Sequence, residues 1–143
     1  MKNEDVRSES INEIELSREI LDKLSVFNII YAEFAEAGAM GCCGEVLFYT
    51  IENSLLMCYK TDLFKDENTY AQAKRLLFKY SENKSLNYYY GGVGNHVFIN
   101  KDVSLIIRDE HFVYRTGNKE YDIYSSVRGV FISVVYAMQN PKN

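Results

Sequence analysis

The chain has 143 residues, 47% hydrophobic and 25% charged, with a formal net charge of −4 and a pI near 5.2, the balance of one globular domain. Nucleic-acid affinity comes mostly from neutralised phosphates, so the acidic balance excludes a generic DNA or RNA binder. No stretch reaches the ~18 apolar residues of a membrane span, and three cysteines, two of them adjacent, make no disulfide framework. The N-terminus "MKNEDVRSES" is polar with no apolar run, so a reduced, cytoplasmic protein is expected. Residues 1–9 are expected to be a disordered tail on a single α+β domain spanning 1–143.

The first element is expected to be a long helix from about Ser10 to Ala37. Ser10 and Glu13 fit an S-x-x-E capping box. Ile20, Leu24, Phe27, Tyr31 and Phe34 recur at steps of 4, 3, 4 and 3, one face of a helix. Ser17 offers a cap for a second helix within this span. Gly38 or Gly41 would end it in a left-handed cap.

Next, "EVLFYTIENSLLMCYKT" (45–61) reads as a hairpin turning at Glu52-Asn53, apolar on both faces and so covered on both. "DENTYAQAKRLLFKY" gives a helix from about Asp66 to Tyr80, capped by Asp66 or Asn68. Tyr70, Ala73, Leu76, Leu77 and Tyr80 form its apolar face; Lys74, Arg75 and Lys79 form a basic outer face. From Ser85 to Tyr124 the runs "LNYYY", "HVFI", "VSLIIR", "HFVYR" and "EYDIY" alternate with turn signals at Gly91–Gly94, Asn100–Asp102, Asp109-Glu110 and Thr116–Lys119. Short strands joined by short turns imply an antiparallel meander. Val127, Val130, Phe131, Val134, Val135 and Met138 then space a last helix, capped at Ser125 or Ser126 and stopped at Asn140-Pro141. The expected fold is α+β: an antiparallel β-meander sheet packed against N-terminal, middle and C-terminal helices, in the order α-β-β-α-β(4–5)-α.

The motifs point away from catalysis. "GAMGCCGEVLF" (38–48) holds Cys42 and Cys43 after a helix C-terminus and near Glu33, Glu36 and Glu45, surroundings that disfavour a thiolate. With the turn at Glu52-Asn53, Cys58 falls opposite Leu47, about 13 Å along the strand from Cys43 and beyond disulfide reach. The segment reads as a small-residue turn followed by a buried strand thiol. "GGVG" leads into a strand rather than a helix, so it reads as a hairpin turn or bulge and not as a dinucleotide loop. His96 and His111 each begin a strand, and no metal-ligand spacing accompanies them. No cofactor is implied. Tyr88, Tyr89 and Tyr90 are consecutive, which sends two rings to one face of a strand and one to the other, and tyrosine is enriched in interface hot spots.

Small size, acidity, the aromatic strands "NYYYGGVGNHVFI" and the lack of a catalytic motif resemble small acidic bacterial toxin-immunity proteins. The resemblance implies a non-enzymatic, protein-binding inhibitor of a cognate toxin domain, often a basic one. Tyr88, Tyr90, His96, Asp109, Glu110 and Tyr114 are the candidate partner-binding residues, and a homodimer is a further possibility. The length and acidity are also similar to type III secretion chaperones, and the element order to roadblock- or longin-like domains. The alternative to a binding module is a small enzyme or ligand-binding domain that uses His96 and His111 in one cleft.

Overall fold

The computed structural model describes residues 12–37, 43–61, 67–83, 86–92, 94–100, 104–108, 111–124 and 128–140. In chain order the elements are β1 (Asn12–Glu15), α1 (Arg18–Leu21), a 3-10 turn (Leu24–Val26), β2 (Ile29–Ala37), β3 (Cys43–Glu52), β4 (Leu55–Lys60) and α2 (Glu67–Asn83). Then follow β5 (Leu86–Gly92), β6 (Asn95–Asn100), β7 (Ser104–Arg108), β8 (His111–Thr116), β9 (Lys119–Ile123) and α3 (Arg128–Gln139). The α+β class is as expected. The tail (1–9), Gly38, Gly41, Cys42, Asp66, Asp109, Glu110, Ser125, Ser126, Val127 and Pro141 lie outside the described residues.

The long N-terminal helix is replaced by β1, a one-turn helix and a nine-residue strand. Glu13 of the supposed capping box sits in β1. Ser17 does cap α1, its Oγ accepting from the Ile20 N–H at 3.3 Å. The stripe Ile20, Leu24, Phe27 and Phe34 does share one core, but through three different pieces of chain, while Tyr31 faces the opposite core. The run from Ile29 to Phe34 is buried at every position. A strand covered on both faces needs such a continuous run, and a one-sided helix stripe does not.

Two sheets form where one meander was expected. The larger has six strands in the order β1-β4-β3-β2-β6-β5, and β7-β8-β9 form a separate antiparallel sheet. The five strand runs therefore divide: β5 and β6 make a hairpin whose β6 pairs with β2, and only β7 to β9 are a meander. The large sheet is mixed because β1 runs parallel to β4. The β3–β4 hairpin turns at Asn53-Ser54, with φ of 53° and 66°, the left-handed pair of a two-residue turn. That is one residue later than expected, so Cys58 pairs with Tyr49 and not with Leu47.

The large sheet separates two cores. On one side α1 and α2 cover Ile29, Ala32, Phe34, Val46, Phe48, Tyr59 and Phe98, with Tyr70, Ala73 and Leu77 supplied by α2. On the other, the small sheet and α3 cover Tyr31, Leu47, Tyr49, Val97 and Ile99, with Phe112, Ile123, Phe131 and Val134 from the covering layer. The layer order is helices, sheet, then sheet plus helix.

Gly44 marks a close approach between two neighbouring strands of the large sheet. A Cβ there would lie 2.5 Å from the Ala35 carbonyl oxygen and 2.8 Å from the Glu36 Cα, both backbone atoms of β2. Gly44→Ala is expected to destabilise by about 1–3 kcal/mol through overpacking and to lower Tm by roughly 3–10 °C. An unchanged melting curve would contradict this packing.

Candidate functional site

A group of polar and aromatic side chains converges where α2 crosses β2, β6 and β5. Strand register sets the convergence. His96 of β6 pairs with Phe34 of β2 on one side and with Tyr90 of β5 on the other, and Tyr88 pairs with Phe98. The two-residue period of a strand then puts Tyr88, Tyr90 and His96 on the α2 side of the sheet. Tyr89 packs into the opposite core.

The His96 ring sits among Phe34, Phe78, Tyr88 and Tyr90, with centroid distances of 5.9, 5.6, 5.9 and 5.2 Å. Its Nδ1 is 2.7 Å from the Tyr88 hydroxyl. Its Nε2 is 3.7 Å from Glu36 Oε1, a distance too long for a direct hydrogen bond. The other oxygen of Glu36 accepts from Lys74 Nζ. A chain of polar groups thus runs from Tyr88 through His96 and Glu36 to Lys74.

Gly94 closes the arrangement. It has φ +78° in the β5–β6 turn, and a Cβ there would lie 2.9 Å from the Glu36 Cβ. Its carbonyl accepts from the Glu36 N–H at 3.1 Å, and its own N–H donates to the Tyr90 hydroxyl at 3.2 Å. Gly94 therefore lies in a hairpin turn between β5 and β6, with a register shift between Tyr90 and Gly92. It leads into a strand, as expected.

Burial lowers the His96 pKa below its ordinary value, and the Lys74 ammonium adds to the effect. Glu36 does not counter this, because its charge is already matched by Lys74. The Tyr88 hydroxyl is pushed up, first by burial and then by Tyr90. At neutral pH the pair is thus a neutral imidazole and a protonated phenol. Neither is primed as a nucleophile, but together they fix the Tyr88 ring. Tyr88 and Tyr90 remain 44% and 55% exposed.

The other expected site residues do not join this group. His111 is on β8, in the small sheet on the far side of the large one. Its Nε2 lies 3.2 Å from Asp122 Oδ1 and its ring stacks on Tyr124 at 4.8 Å. His96 and His111 therefore face different layers and share no cleft. Tyr114 is half-buried, stacked on Tyr121 with centroids 6.1 Å apart. It shares a face of β8 with Phe112, which points at the large sheet, so Tyr114 belongs to packing and not to the Tyr88–Tyr90 surface. Asp109 and Glu110 lie outside the described residues. Among the described residues no group of three or more His, Cys, Asp and Glu is placed to hold a metal.

The cysteine segment connects two strands. Cys43 opens β3 opposite Ala37 of β2, so no helix C-terminus precedes it and the dipole argument does not apply. Cys58 is a free, buried thiol facing the second core, and burial, with Glu13 next, pushes its pKa up to about 12. Its partner position, Tyr49, is six residues from Cys43, roughly 20 Å along β3. A bridge between Cys43 and Cys58 is geometrically excluded.

Glu36, Lys74, Phe78 and Gly94 are the site residues missed in the sequence. Glu36 was hidden inside the supposed helix, and Lys74 in the basic outer face. Arg75 and Lys79 are indeed exposed, but Lys74 turns toward β2. The signal for its role was its place one turn after Tyr70 on a helix that must cross a carboxylate-bearing strand end.

The chain matches no family model, no curated protein and no solved structure. No helix among the described residues is long and apolar enough to cross a membrane.

The lowered His96 pKa has a signed consequence for stability. Below its ordinary pKa of 6.5 the unfolded chain takes up a proton before the folded one does, which favours unfolding. This contribution is complete above that value and is lost as pH falls toward the folded pKa. His96→Gln is expected to flatten the fall in Tm between about pH 7.5 and about pH 5.5. Parallel Tm–pH curves for the two proteins would show that His96 does not titrate in this way.

Proposed function

We propose that the chain is a non-enzymatic protein-binding module, most specifically an immunity-type inhibitor that neutralises a cognate bacterial toxin by direct contact. The observation that carries this reading is the Tyr88–Tyr90 pair. Both rings stand on one face of β5 with large exposure, and each hydroxyl is already hydrogen-bonded within the hairpin. Rings ordered before binding lose little further entropy on binding, and exposed tyrosines are frequent anchors of interfaces.

Charge fits the same reading. The site's carboxylate, Glu36, is matched by Lys74, so the contact surface itself is close to neutral. The net charge of −4 acts at longer range, steering a basic partner toward the chain and leaving the contact to the aromatic rings. Two histidines in separate layers, each beside its own carboxylate, give no support to an acid–base enzyme that uses both.

The test is to express the toxin-like domains encoded in the neighbourhood of this chain's gene and to measure binding by titration calorimetry, together with a growth-protection assay. Tyr90→Ala is expected to weaken binding about tenfold or more, the ~1–2 kcal/mol of an interface anchor, with little change in Tm. Tyr88→Ala is expected to weaken it similarly while also releasing His96. Absence of binding and protection by the natural chain would overturn the proposal, as would full affinity in the doubly substituted chain.

A further inference from the structure

The large sheet ends on β1 at one edge and on β5 at the other, and the two edges are built differently. β1 is four residues, "NEIE", with carboxylates at Glu13 and Glu15. Short length and charge are the usual means of keeping other strands off an edge. β5 is seven residues, "LNYYYGG", with no charge and no proline, and its Asn87, Tyr88 and Tyr90 are exposed. The hydrogen-bond phase of β5 is set by the neighbouring strands. The Glu36 N–H of β2 donates to the Gly94 carbonyl at 3.1 Å. Phe34 lies opposite His96 and Ala32 opposite Phe98, and antiparallel alternation makes these the bonded pairs as well. His96 and Phe98 therefore turn their backbone groups toward β2, and Val97 and Ile99 turn theirs toward β5. Tyr89 and Asn87, opposite Val97 and Ile99, complete that ladder. Leu86, Tyr88 and Tyr90 then point their N–H and C=O groups away from β6, out of the edge of the sheet. The two exposed rings and two of the outward backbone positions belong to the same residues.

We infer that β5 is a docking edge, and that the toxin domain binds by adding an extended strand to it. The inference rests on the proposed function and specifies its mode of contact. The backbone selects the occupant. Outward N–H and C=O groups on every second residue are matched by another extended chain of the same period, and not by a helix or a small ligand. Side chains of the incoming strand alternate between faces as well. Those on the α2 side fall beside Tyr88 and Tyr90, where the ring faces and the net charge of −4 favour Arg or Lys. β5 is held on both faces before the strand arrives. Tyr89 packs into the core that holds Phe131 and Val134, and Tyr88 is bonded to His96. An edge ordered in advance loses little further entropy on pairing.

Amide hydrogen exchange of the full chain, alone and with the toxin-like domains encoded in its gene neighbourhood, tests the mode. In the free chain the Tyr88 and Tyr90 amides are expected to exchange fast, and the Asn87 and Tyr89 amides, bonded to β6, slowly. Binding is expected to slow Tyr88 and Tyr90 about tenfold or more and to leave Asn87 and Tyr89 little changed. Tyr88→Pro removes an outward N–H and spares the β6 ladder, the one side of an edge strand that tolerates proline. It is expected to weaken binding about tenfold beyond Tyr88→Ala, with the same circular dichroism as that variant. Failure of every such domain to bind would overturn the toxin reading and this inference with it. Binding that leaves the Tyr88 and Tyr90 amides fast would overturn edge docking alone, as would equal weakening by Tyr88→Pro and Tyr88→Ala. Protection of these two amides in the free chain that grows with its concentration would assign the edge to a second copy, and so overturn the inference too.

Discussion

Burial of β2 on both faces is the constraint from which the rest of the structure follows. The strand pairs with β3 on one side and β6 on the other, and every residue from Ile29 to Phe34 is buried. Water is excluded only if both faces are covered, so the domain needs two covering layers. α1 and α2 supply one, and the small sheet with α3 supplies the other. Even Glu33, in the middle of the strand, is buried, and its Oε1 accepts a 2.6 Å hydrogen bond from the Tyr31 hydroxyl. A buried carboxyl without such donors would cost several kcal/mol, so this bond also ties the identity of Tyr31 to that of Glu33.

The same strand places the candidate site. Alternation along β2 sends Phe34 and Glu36 to the α2 side, where Phe34 lies against His96 and Glu36 meets Lys74. The turn at Gly94 lies against the Glu36 side chain, and its backbone bonds to both Glu36 and Tyr90. Tyr88 and Tyr90 therefore stand on a hairpin held at three points: by β2, by α2 and by its own turn. The result is two rings that are exposed and yet fixed. That combination suits recognition of a preformed partner surface better than chemistry.

Much of the architecture was legible in the sequence. The middle and last helices fall within a few residues of their expected spans, Glu67–Asn83 and Arg128–Gln139, because each carries buried apolar residues at helical spacing. The β3–β4 hairpin and the strands after Leu86 were legible from strand-forming runs between turn residues. The first forty residues were not. Ile20, Leu24, Phe27 and Phe34 do face one core, so the helical spacing was real but arose from α1, a 3-10 turn and a strand folded back together. Burial of β2 on both sides erased the two-residue alternation that marks a half-exposed strand. The division of the late strands between two sheets was equally hidden, since strand runs and turns do not encode which strand a hairpin joins. For the site, the strand period put two of Tyr88, Tyr89 and Tyr90 on one face, but that His96 shares the face of Tyr88 and Tyr90 depends on the β5–β6 register. Tyr114 was not separable from them without knowing which face of β8 meets the large sheet. Glu36 could not be found while its segment was read as helix.

The central claim is that residues 29–37 form a middle strand of the large sheet, covered on both faces from Ile29 to Phe34. Backbone chemical shifts combined with amide hydrogen exchange measure this directly. Strand-type Cα and Cβ shifts are expected from Ile29 to Ala37, with the Tyr31 to Phe34 amides among the slowest to exchange in the chain and opening only on global unfolding. Helical shifts across this segment, or exchange there as fast as in the turn at Asn53-Ser54, would contradict the fold and the site built on it.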